Sequence, residues 1–489
     1  MSFAIPPSRN APCPCGSGKR FKECCGAPGS APFRESASRP ADPPDVLVER
    51  AARHHGAGRL AEAEALYRNA LEREPQNAAA MHGIGVLALQ RGDAGAGAAH
   101  IERAVALRPD IAEFHGNLGL CYRRLGRVRE AVESQRRSIE LDPRKSSRYA
   151  NLAVALQEEG RTQEALDAFD RALALDPQNA EAHYSRSLLH LALGDYERGW
   201  RGYEWRSRCR EFANRDLEPR GMRPWSGEPL QGKTLLVRRE QGHGDILQLL
   251  RFVPTLADRG GRVLVEAPVE LAELARSVDS RAEVVEPGKP PHGVDFYVNL
   301  MSLPGRLGVI PETIANPPPY LEANAAKVRE WRARLDGYAG RKIGVAWGGN
   351  PLHHNDRNRS CSLQALAPLF ELRGSSWFSL QLGTRGDELS ARGAPRITDL
   401  RRFLHSYSDT AAATSALDLV ITVDTSIAHL AGALARPAWV MIPFAPDWRW
   451  LRDRTDSPWY PSLRLFRQER PGHWNSVIAS LREALGDLR

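Results

Sequence analysis

The chain has 489 residues, a formal net charge of +8 and 42% apolar residues. Its apolar fraction is ordinary and its 26% charged residues carry both signs, which excludes disorder or collagen-like repetition for most of the chain. The length predicts three or four folded units, and the thinly spread basic excess predicts no nucleic-acid partner.

The amino terminus and the cysteines indicate the compartment. No apolar stretch approaches the roughly 18 residues of a membrane helix, and the first residues lack the basic and apolar regions of a signal peptide. The protein is therefore expected in the cytoplasm. Of its 7 cysteines, four fall within a short segment near the start. In a reducing compartment such crowding favours a metal site over disulfides.

This cysteine cluster has the spacing of a zinc site. Its members are Cys13, Cys15, Cys24 and Cys25. Four sulfur ligands complete a tetrahedral zinc shell and leave no position open for water. Residues 12–26 resemble the SEC-C motif, a zinc knuckle of the bacterial preprotein translocase ATPase and of unrelated bacterial proteins. The resemblance implies a structural Zn²⁺ and a protein-docking role for residues 1–27. A tail with idle thiols is the alternative, and residues 28–45 predict a flexible, proline-rich linker.

A repeat follows the linker. Glycines recur every 34 residues at positions 58, 92, 126, 160 and 194, and prolines at 75, 109, 143 and 177. Each unit is predicted to be two helices, of which the first ends at the glycine and the second at the proline. Small residues are expected where the paired helices meet. The pattern resembles the tetratricopeptide repeat (TPR) and implies an α-helical solenoid of about five units over residues 46–214.

Two asparagines suggest what the solenoid binds. Asn117 and Asn151 fall at equivalent positions in the first helices of their units. This is similar to the asparagine ladder with which O-linked N-acetylglucosamine transferase grips acceptor backbones, since an amide both donates to and accepts from a peptide. The resemblance implies a protein acceptor in the groove. Polar residues that simply face water are the alternative.

Beyond the repeats, strands and helices alternate and predict two α/β halves, residues 230–335 and 336–489. In the first half, a strand leads through Glu240-Gln241-Gly242-His243-Gly244-Asp245 into a helix predicted over Ile246–Leu256. Glycines in this motif allow a close backbone approach to a ligand. A dinucleotide fingerprint would need a third glycine where Leu247 stands, so the sequence excludes a nicotinamide enzyme.

The second half contains a buried-type strand, a turn of helix-capping residues and a helix. The turn is Asp424-Thr425-Ser426. Free amides at the helix start, together with the helix dipole, suit a diphosphate. Asp424 itself is expected to be a cap, because its charge would repel the phosphates. A capped helix that binds nothing is the alternative.

Taken together, motifs between Gly232 and Trp474 resemble the bacterial TPR-linked glycosyltransferases. Their catalytic part is related to the heptosyltransferases and has the GT-B fold of two Rossmann-like halves. In chain order the motifs are Glu240–Asp245, Trp347–Pro351, Asn355–Ser360, Ser379–Gln381, Asp424–Gly432, Asp447–Trp450 and Trp459–Tyr460. His243 stands in the first of these motifs at a position where the family usually has an aliphatic residue.

The resemblance implies that a nucleotide sugar held by the second half gives its sugar to an acceptor at the first half, with inversion and without a catalytic metal. Asp245 corresponds to the general base of the heptosyltransferases, although an Asp at a helix start is often only a cap. Arg359 is expected to bind the diphosphate through its forked donors. The other expected donor-binding residues are Gly242, Gly244, Asn350, Ser360, Gln381, Asp424, Thr425, Ser426 and His429.

The leading interpretation is a cytoplasmic bacterial glycosyltransferase that acts on a protein, with a flagellin-like protein as one candidate. A glycan or lipid-linked acceptor is the second interpretation. The third is a scaffold in which the repeats and the zinc knuckle act without catalysis. Trp448, Trp450 and Trp459 are expected to pack in the interior and to have no direct role.

Overall fold

In this computed structural model the described residues are 8, 10–11, 19–24, 27, 42–213, 217–219, 221–289, 292–314, 317–353 and 355–488. The chain divides into two compact units, residues 1–125 and 126–489. Three of the predicted zinc ligands, Cys13, Cys15 and Cys25, lie outside the described residues, as does most of the predicted linker. Within the described ranges, every helix is too short or too polar to cross a bilayer.

The first unit is helical over residues 44–125. Its α-helices there are α1 Pro44–Gly56, α2 Leu60–Arg73, α3 Ala78–Gln90, α4 Ala94–Leu107 and α5 Ala112–Leu125, and a 3-10 helix spans Phe21–Glu23. Small residues line the helix contacts, as predicted: Ala51 and Ala63 are fully buried in a cluster that also contains Tyr67. A second cluster joins Ile101 to Phe114.

The second unit begins with five more helices of the same kind. They are α6 Val128–Leu141, α7 Ser146–Glu158, α8 Thr162–Leu175, α9 Ala180–Ala192 and α10 Tyr196–Tyr203, followed by 3-10 helices at Glu204–Arg208 and Arg210–Phe212. The predicted helical repeats are confirmed. The five repeat glycines have φ between 75° and 89°, a left-handed conformation that ends the first helix of each pair and that other residues rarely adopt.

A five-stranded parallel sheet follows. Its strands are β1 Arg223–Pro224, β2 Thr234–Arg238, β3 Arg262–Glu266, β4 Ala282–Val285 and β5 Phe296–Asn299, in the order β1-β5-β2-β3-β4. Its helices are α11 His243–Leu249, α12 Val253–Ala257, α13 Ala272–Arg276 and α14 Leu303–Arg306, with 3-10 helices at Leu250–Phe252, Leu300–Ser302 and Pro311–Thr313. Because β1 pairs with β5, this half begins before the predicted boundary at residue 230.

The last part of the chain forms a six-stranded parallel sheet. Its strands are β6 Arg341–Ala346, β7 Ser375–Ser379, β8 Thr398–Asp399, β9 Leu419–Val423, β10 Ala438–Ile442 and β11 Leu463–Arg467, in the order β11-β10-β9-β6-β7-β8. Its α-helices are α15 Ala325–Leu335, α16 Asp356–Arg359, α17 Ala367–Phe370, α18 Tyr407–Ala416, α19 Ser426–Ala433 and α20 Trp474–Asp487, with 3-10 helices at Gln364–Leu366, Thr384–Ser390, Arg401–Phe403 and Trp448–Trp450.

These two parallel sheets confirm the predicted α/β class. All five residues of β9 are buried, as expected for a strand covered on both faces.

Two predicted boundaries differ from those in the structure. The helix after β2 begins at His243 and not at Ile246, because the Asp245 carboxylate accepts the Gly242 backbone N–H at 2.7 Å and caps the first turn. Helix α15 precedes the predicted boundary at residue 335 yet packs on α18 of the second half, where Lys327 pairs with Asp409 at 2.9 Å.

The helical end of the second unit and its two α/β halves share one apolar core. Trp200 of α10, Leu247 of α11 and Leu430 of α19 belong to the same buried cluster. The predicted packing role of the late tryptophans is confirmed, since Trp448, Trp450 and Trp459 are at most 3% exposed. The two sheets are therefore held together by packing as well as by the chain.

Candidate functional site

The predicted motifs follow strand ends at the two places where strand order reverses. From β2 the chain runs outward through β3 and β4 and returns to β5 on the other side of β2. From β6 it runs outward through β7 and β8 and returns to β9 on the other side of β6. Open parallel sheets bind ligands outside the carboxyl ends of strands at such reversals. The Glu240–Asp245 loop follows β2, and the Asp424 turn follows β9.

A close helix contact brings these two loops together. A Cβ atom on Gly244 of α11 would lie 2.9 Å from Cδ2 of His429 and 3.5 Å from Cα of Ser426, both in α19. Glycine is therefore needed at this position for the starts of the two helices to meet. The contact places Asp245, one residue further along α11, beside the second half.

Asp245 forms an ion pair with Arg449, a residue of the 3-10 helix Trp448–Trp450 in the second half. The two side chains are 19% and 8% exposed, so the carboxylate retains some access to solvent while the guanidinium is buried. Oδ1 of Asp245 faces Arg449, and Oδ2 accepts the Gly242 N–H. Both oxygens are thus held in place, one from each half.

Arg449 joins several groups of the site. Its Nε donates to Oε1 of Gln248 at 2.6 Å, its Nη1 donates to Oδ1 of Asp447 at 2.9 Å, and its guanidinium carbon lies 4.3 Å from the ring centre of Trp448. Burial alone would lower the pKa of Arg449, but the carboxylates of Asp447 and Asp245 outweigh burial and raise it. The side chain is a fixed cation between the two halves.

Asp424 and Arg359 lie at the strand reversal of the second sheet. Nη1 of Arg359 donates to the backbone carbonyl of Asp424 at 3.1 Å, and its Nε lies 3.6 Å from Oδ1 of Asp356. That Nε is buried and makes no hydrogen bond within the described part of the chain. Burial, helped by the negative charge of Asp447, raises the pKa of Asp424 to about 6, although Arg359 opposes the shift.

Two predicted donor-binding side chains instead hold the loop after β6. Oε1 of Gln381 accepts the backbone N–H groups of Trp347 and Gly348 at 2.9 and 2.8 Å, and its Nε2 donates to the carbonyls of Gly348 and Leu382 at 3.0 Å each. With all four bonds made internally, Gln381 has a positioning role here. Ser360 accepts from Gly349 at 2.9 Å and donates to Asp356, so its hydroxyl is also engaged. Asn350, from the separate Trp347–Pro351 motif, is exposed and accepts the Leu352 N–H at 3.0 Å.

The start of α19 is capped by Thr425 and not by Asp424. The Thr425 hydroxyl accepts the Ile427 N–H at 3.3 Å, and the Ser426 hydroxyl accepts from Tyr407 at 2.8 Å. Nδ1 of His429 lies 3.0 Å from the Tyr460 hydroxyl. Burial, helped by the charge of Arg449, lowers the pKa of His429 to about 3, so this imidazole is neutral at neutral pH.

The structure therefore collects most of the predicted α/β residues and adds others. Gly244, Asp245 and the Asp424–His429 segment meet, and Arg359 touches the Asp424 turn. The sequence reasoning missed Arg449 and Asp447, although both stand in the quoted Asp-Trp-Arg-Trp motif. An acidic residue and an arginine that alternate with two tryptophans are the indication that the sequence offers for a charged pair at this position.

The predicted acceptor asparagines lie in different units. In the first unit, Nδ2 of Asn117 lies 2.9 Å from Nε2 of His82 in the preceding repeat. Burial lowers the pKa of His82 to about 4, which keeps this ring neutral. In the second unit, Asn151 is a half-buried residue of α7.

Two cavities lie along the helical end of the second unit. One, of about 570 Å³, is lined by α8, α9 and α10 and includes Asp170, His183 and Arg186. The other, of about 590 Å³, runs past the 3-10 helix Glu204–Arg208 to the carboxyl end of β5. Trp205 lines both, whereas Asp245 and Asp424 line neither. Space for a bound segment therefore exists beside the repeats.

The zinc prediction falls on a segment of which the structure describes little. Cys24 follows the 3-10 helix Phe21–Glu23, and the other three cysteines lie outside the described residues. Among the described residues, no group of three or more His, Cys, Asp or Glu side chains could hold a metal ion. Four thiolates are the donor set that structural zinc prefers, so the site remains a prediction.

Comparison with known proteins identifies the repeats and the cysteine motif near the amino terminus. Models of the tetratricopeptide repeat match residues 50–101, 82–146 and 155–194, and the SEC-C motif matches residues 9–27. The chain thus contains a TPR protein-interaction domain and a SEC-C motif, as the sequence predicts.

Relatives and solved structures extend the comparison. Protein FlbA of Caulobacter vibrioides is 27% identical over 342 residues, 63% of this chain and 55% of FlbA, so the chain spans about half the length of that relative. The protein translocase subunit SecA of Campylobacter fetus subsp. fetus is 63% identical over 27 residues, 6% of this chain and 3% of SecA. A crystal structure of MamA covers 32% of this chain and 91% of MamA, at 18% identity and a TM-score of 0.29.

The SEC-C match leads to a metal prediction. In Cys24→Ser, the zinc content measured by inductively coupled plasma mass spectrometry should fall from one ion per chain to near zero, because a hydroxyl replaces one of four thiolates. Cys209→Ser, at a buried cysteine remote in sequence, is the matched control and should retain the metal. Equal zinc in Cys24→Ser and the unmodified protein would contradict the assignment.

Proposed function

We propose that this protein is a glycosyltransferase that moves a sugar from a nucleotide-sugar donor to a protein acceptor. The observation that carries the proposal is the ion pair between Asp245 and Arg449, at the meeting point of two strand reversals from two parallel sheets. The partly exposed carboxylate of Asp245, from the first half, thus lies beside three features of the second half. These are the start of α19, the Arg449 guanidinium and the Asp424 turn. The resemblance to TPR-linked glycosyltransferases of the GT-B fold also supports a glycosyltransferase function.

Each half has a role in the proposed reaction. Asp245 accepts the proton of the acceptor hydroxyl. The hydroxyl oxygen of the acceptor forms a bond to the anomeric carbon of the sugar, and the bond from that carbon to the diphosphate breaks. The leaving diphosphate gains negative charge. In this proposal the amides at the start of α19 and the guanidinium of Arg359 stabilise it, because a helix start and a forked cation both favour phosphate.

Arg449 supports the base in this scheme. Its ion pair and its bonds to Gln248 and Asp447 fix the direction in which the Asp245 carboxylate points. A base must lie within hydrogen-bond reach of the proton that it removes, so orientation matters as much as basicity. His429 is neutral and bonded to Tyr460, which fits packing beside the diphosphate better than a charged contact with it.

In this proposal the repeats bind the protein acceptor. A TPR domain is present, and the cavity of about 570 Å³ between α8, α9 and α10 offers space for a peptide segment. Small glycans do not need such a surface, which favours a protein substrate. The bacterial relatives that this architecture resembles include flagellin glycosyltransferases, which makes a flagellin-like protein the first acceptor to test.

A donor panel tests the proposal. UDP, GDP, dTDP and ADP, with their common sugar conjugates, are each added to the full chain, and the melting temperature is measured. A compound at 100 times its Kd that binds only the folded state stabilises it by about 2.7 kcal/mol, so at least one should raise the melting temperature by several degrees. No shift across the panel would favour the non-catalytic scaffold.

A further inference from the structure

A buried ion pair joins the Glu240–Asp245 loop to the helical segment of the second unit, which runs from α6 to the 3-10 helix Glu204–Arg208. Arg206 belongs to the 3-10 helix Glu204–Arg208, which directly follows α10. Its Nε donates to Oε2 of Glu240 and its Nη2 donates to Oε1, each at 3.0 Å. The side chains of Arg206 and Glu240 are 3% and 1% exposed, so this bidentate ion pair is buried. It connects the last turn of the helical segment to the first residue of the loop that carries Asp245.

Further hydrogen bonds complete this network. Oε1 of Glu240 also accepts the backbone N–H of Met301 at 2.8 Å, and Nη2 of Arg206 also donates to the Ser302 hydroxyl at 2.7 Å. That hydroxyl donates to Glu204 at 2.8 Å, and Nη1 of Arg206 donates to the same carboxylate at 2.9 Å. The network thus ties the turn after β2 to the turn after β5, at the reversal of the first sheet.

The next residue of the loop is held from the same side. Nε2 of Gln241 donates to the hydroxyl of Tyr203, the last residue of α10, at 2.7 Å. The Arg206 guanidinium carbon lies 4.7 Å from the Tyr203 ring centre. Gly242 and Gly244 follow, and glycines restrict the backbone least. The order of the loop before Asp245 therefore depends on the two anchors at Glu240 and Gln241.

The chemistry of the pair favours positioning over stability. Burial alone would lower the pKa of Arg206, but the negative charges of Glu240 and Glu204 outweigh burial and raise it. Removing two charges from water is costly, and well-packed apolar residues often stabilise a core as well as a buried ion pair does. An apolar pair cannot form the two directional hydrogen bonds with which a guanidinium and a carboxylate fix each other's orientation.

We propose that Arg206 is a positioning residue, which acts through Glu240 to hold the Gly242–Asp245 backbone in the geometry that the reaction needs. The last turn of the helical segment is then a structural part of the α/β site and not only an acceptor-binding attachment. The catalytic meaning of this inference rests on the proposed function, whereas the ordering of the loop by Arg206 does not.

The test replaces both charges with apolar side chains. In the full-length double variant Arg206→Met with Glu240→Met, neither a buried cation nor a buried anion is left unpaired. The Met301 N–H loses its acceptor, so the melting temperature should fall, but by no more than about 5 °C. Hydrogen exchange measured by mass spectrometry on fragments spanning residues 240–245 should be at least about 10-fold faster. The matched control is Arg262→Met with Glu283→Met, an exposed pair on the same sheet, which should leave the loop unchanged.

A conservative variant protects the test against misfolding. Arg206→Lys keeps the positive charge but cannot span both oxygens of Glu240, so exchange in the loop should lie between the original and the double variant. Exchange at the original rate in both Arg206→Lys and the folded double variant would overturn the proposal.

Kinetics separate this inference from the proposed function. With a donor found in the panel, release of nucleoside diphosphate by the double variant should show a kcat lowered at least about 10-fold and a KM for donor near the original. Equal kcat in a variant whose loop exchanges faster would show that loop order is not limiting, which contradicts the positioning role. If no donor binds the unmodified protein, the proposed function fails while the exchange result still stands.

Discussion

Asp245→Asn should remove sugar transfer while leaving the fold and donor binding intact. An asparagine side chain has nearly the same shape and can still accept the Gly242 N–H, which caps α11 in the original protein at 2.7 Å. Arg449 keeps its second ion pair, with Asp447 at 2.9 Å, so its buried charge is not left uncompensated. The asparagine cannot take up the proton of an acceptor hydroxyl. Loss of a general base lowers turnover by about 10²–10⁴-fold. Release of nucleoside diphosphate in the presence of acceptor measures the effect.

The control for this substitution is Asp258→Asn, the same chemical change in the same half. Asp258 is exposed and pairs with Arg281 at 2.9 Å, and surface ion pairs contribute about 0–1 kcal/mol to stability. It should show unchanged turnover. A donor-induced melting shift in Asp245→Asn equal to that of the original protein would establish that the donor site survives. Full turnover in Asp245→Asn would eliminate the proposed base and leave capping as the role of this residue.

Much of this fold could be predicted from the sequence because its patterns are local. The repeat glycines fix helix ends through their left-handed backbone, and apolar runs such as Leu419–Val423 indicate strands covered on both faces. The start of α11 could not be placed, because Gly242 and His243 have low helix preference and the helix there depends on the bond from the Gly242 N–H to the Asp245 carboxylate.

The site was predicted less completely than the fold, because long-range contacts decide it. Gln381 was expected to contact the donor, yet its amide bonds only to backbone groups of nearby loops, which sequence spacing does not reveal. Arg449 pairs with a residue 204 positions earlier in the chain. Arg206 and Glu240 likewise meet only after the helical segment has packed against the first sheet.

Arg449→Met should cause the largest loss of stability among these variants. Arg449 is 8% exposed and pairs with both Asp245 and Asp447. Removing one member of a buried ion pair costs about 3–5 kcal/mol, because the remaining charge stays buried without compensation. Methionine keeps much of the side-chain volume and the contact with Trp448, so a cavity contributes little. Urea unfolding monitored by tryptophan fluorescence measures the change in the free energy of unfolding.

The pH dependence of this loss identifies its cause. In the original protein the charge of Arg449 outweighs burial and lowers the pKa of Asp447, so the stability from this pair is present above the unfolded pKa of about 3.8 and is lost as the pH falls below it. Without Arg449, burial and the repulsion between Asp447 and Asp424 raise the pKa of both carboxyls, and the variant gains stability when they take up protons. The difference between the two proteins should therefore be largest near pH 8 and smaller near pH 5.

A matched arginine tests whether burial decides the effect. Arg401 also pairs with two carboxylates, Asp399 and Asp387, but its side chain is 26% exposed and water screens its charge. Arg401→Met should therefore lose about 0–1 kcal/mol, with little change between pH 5 and pH 8. A loss in Arg449→Met as small as that of Arg401→Met, or one that does not depend on pH, would mean that Arg449 is not the buried cation that joins the two halves. Asp245 would then owe its position to the Gly242 N–H alone, and a support from the second half would have to be sought elsewhere.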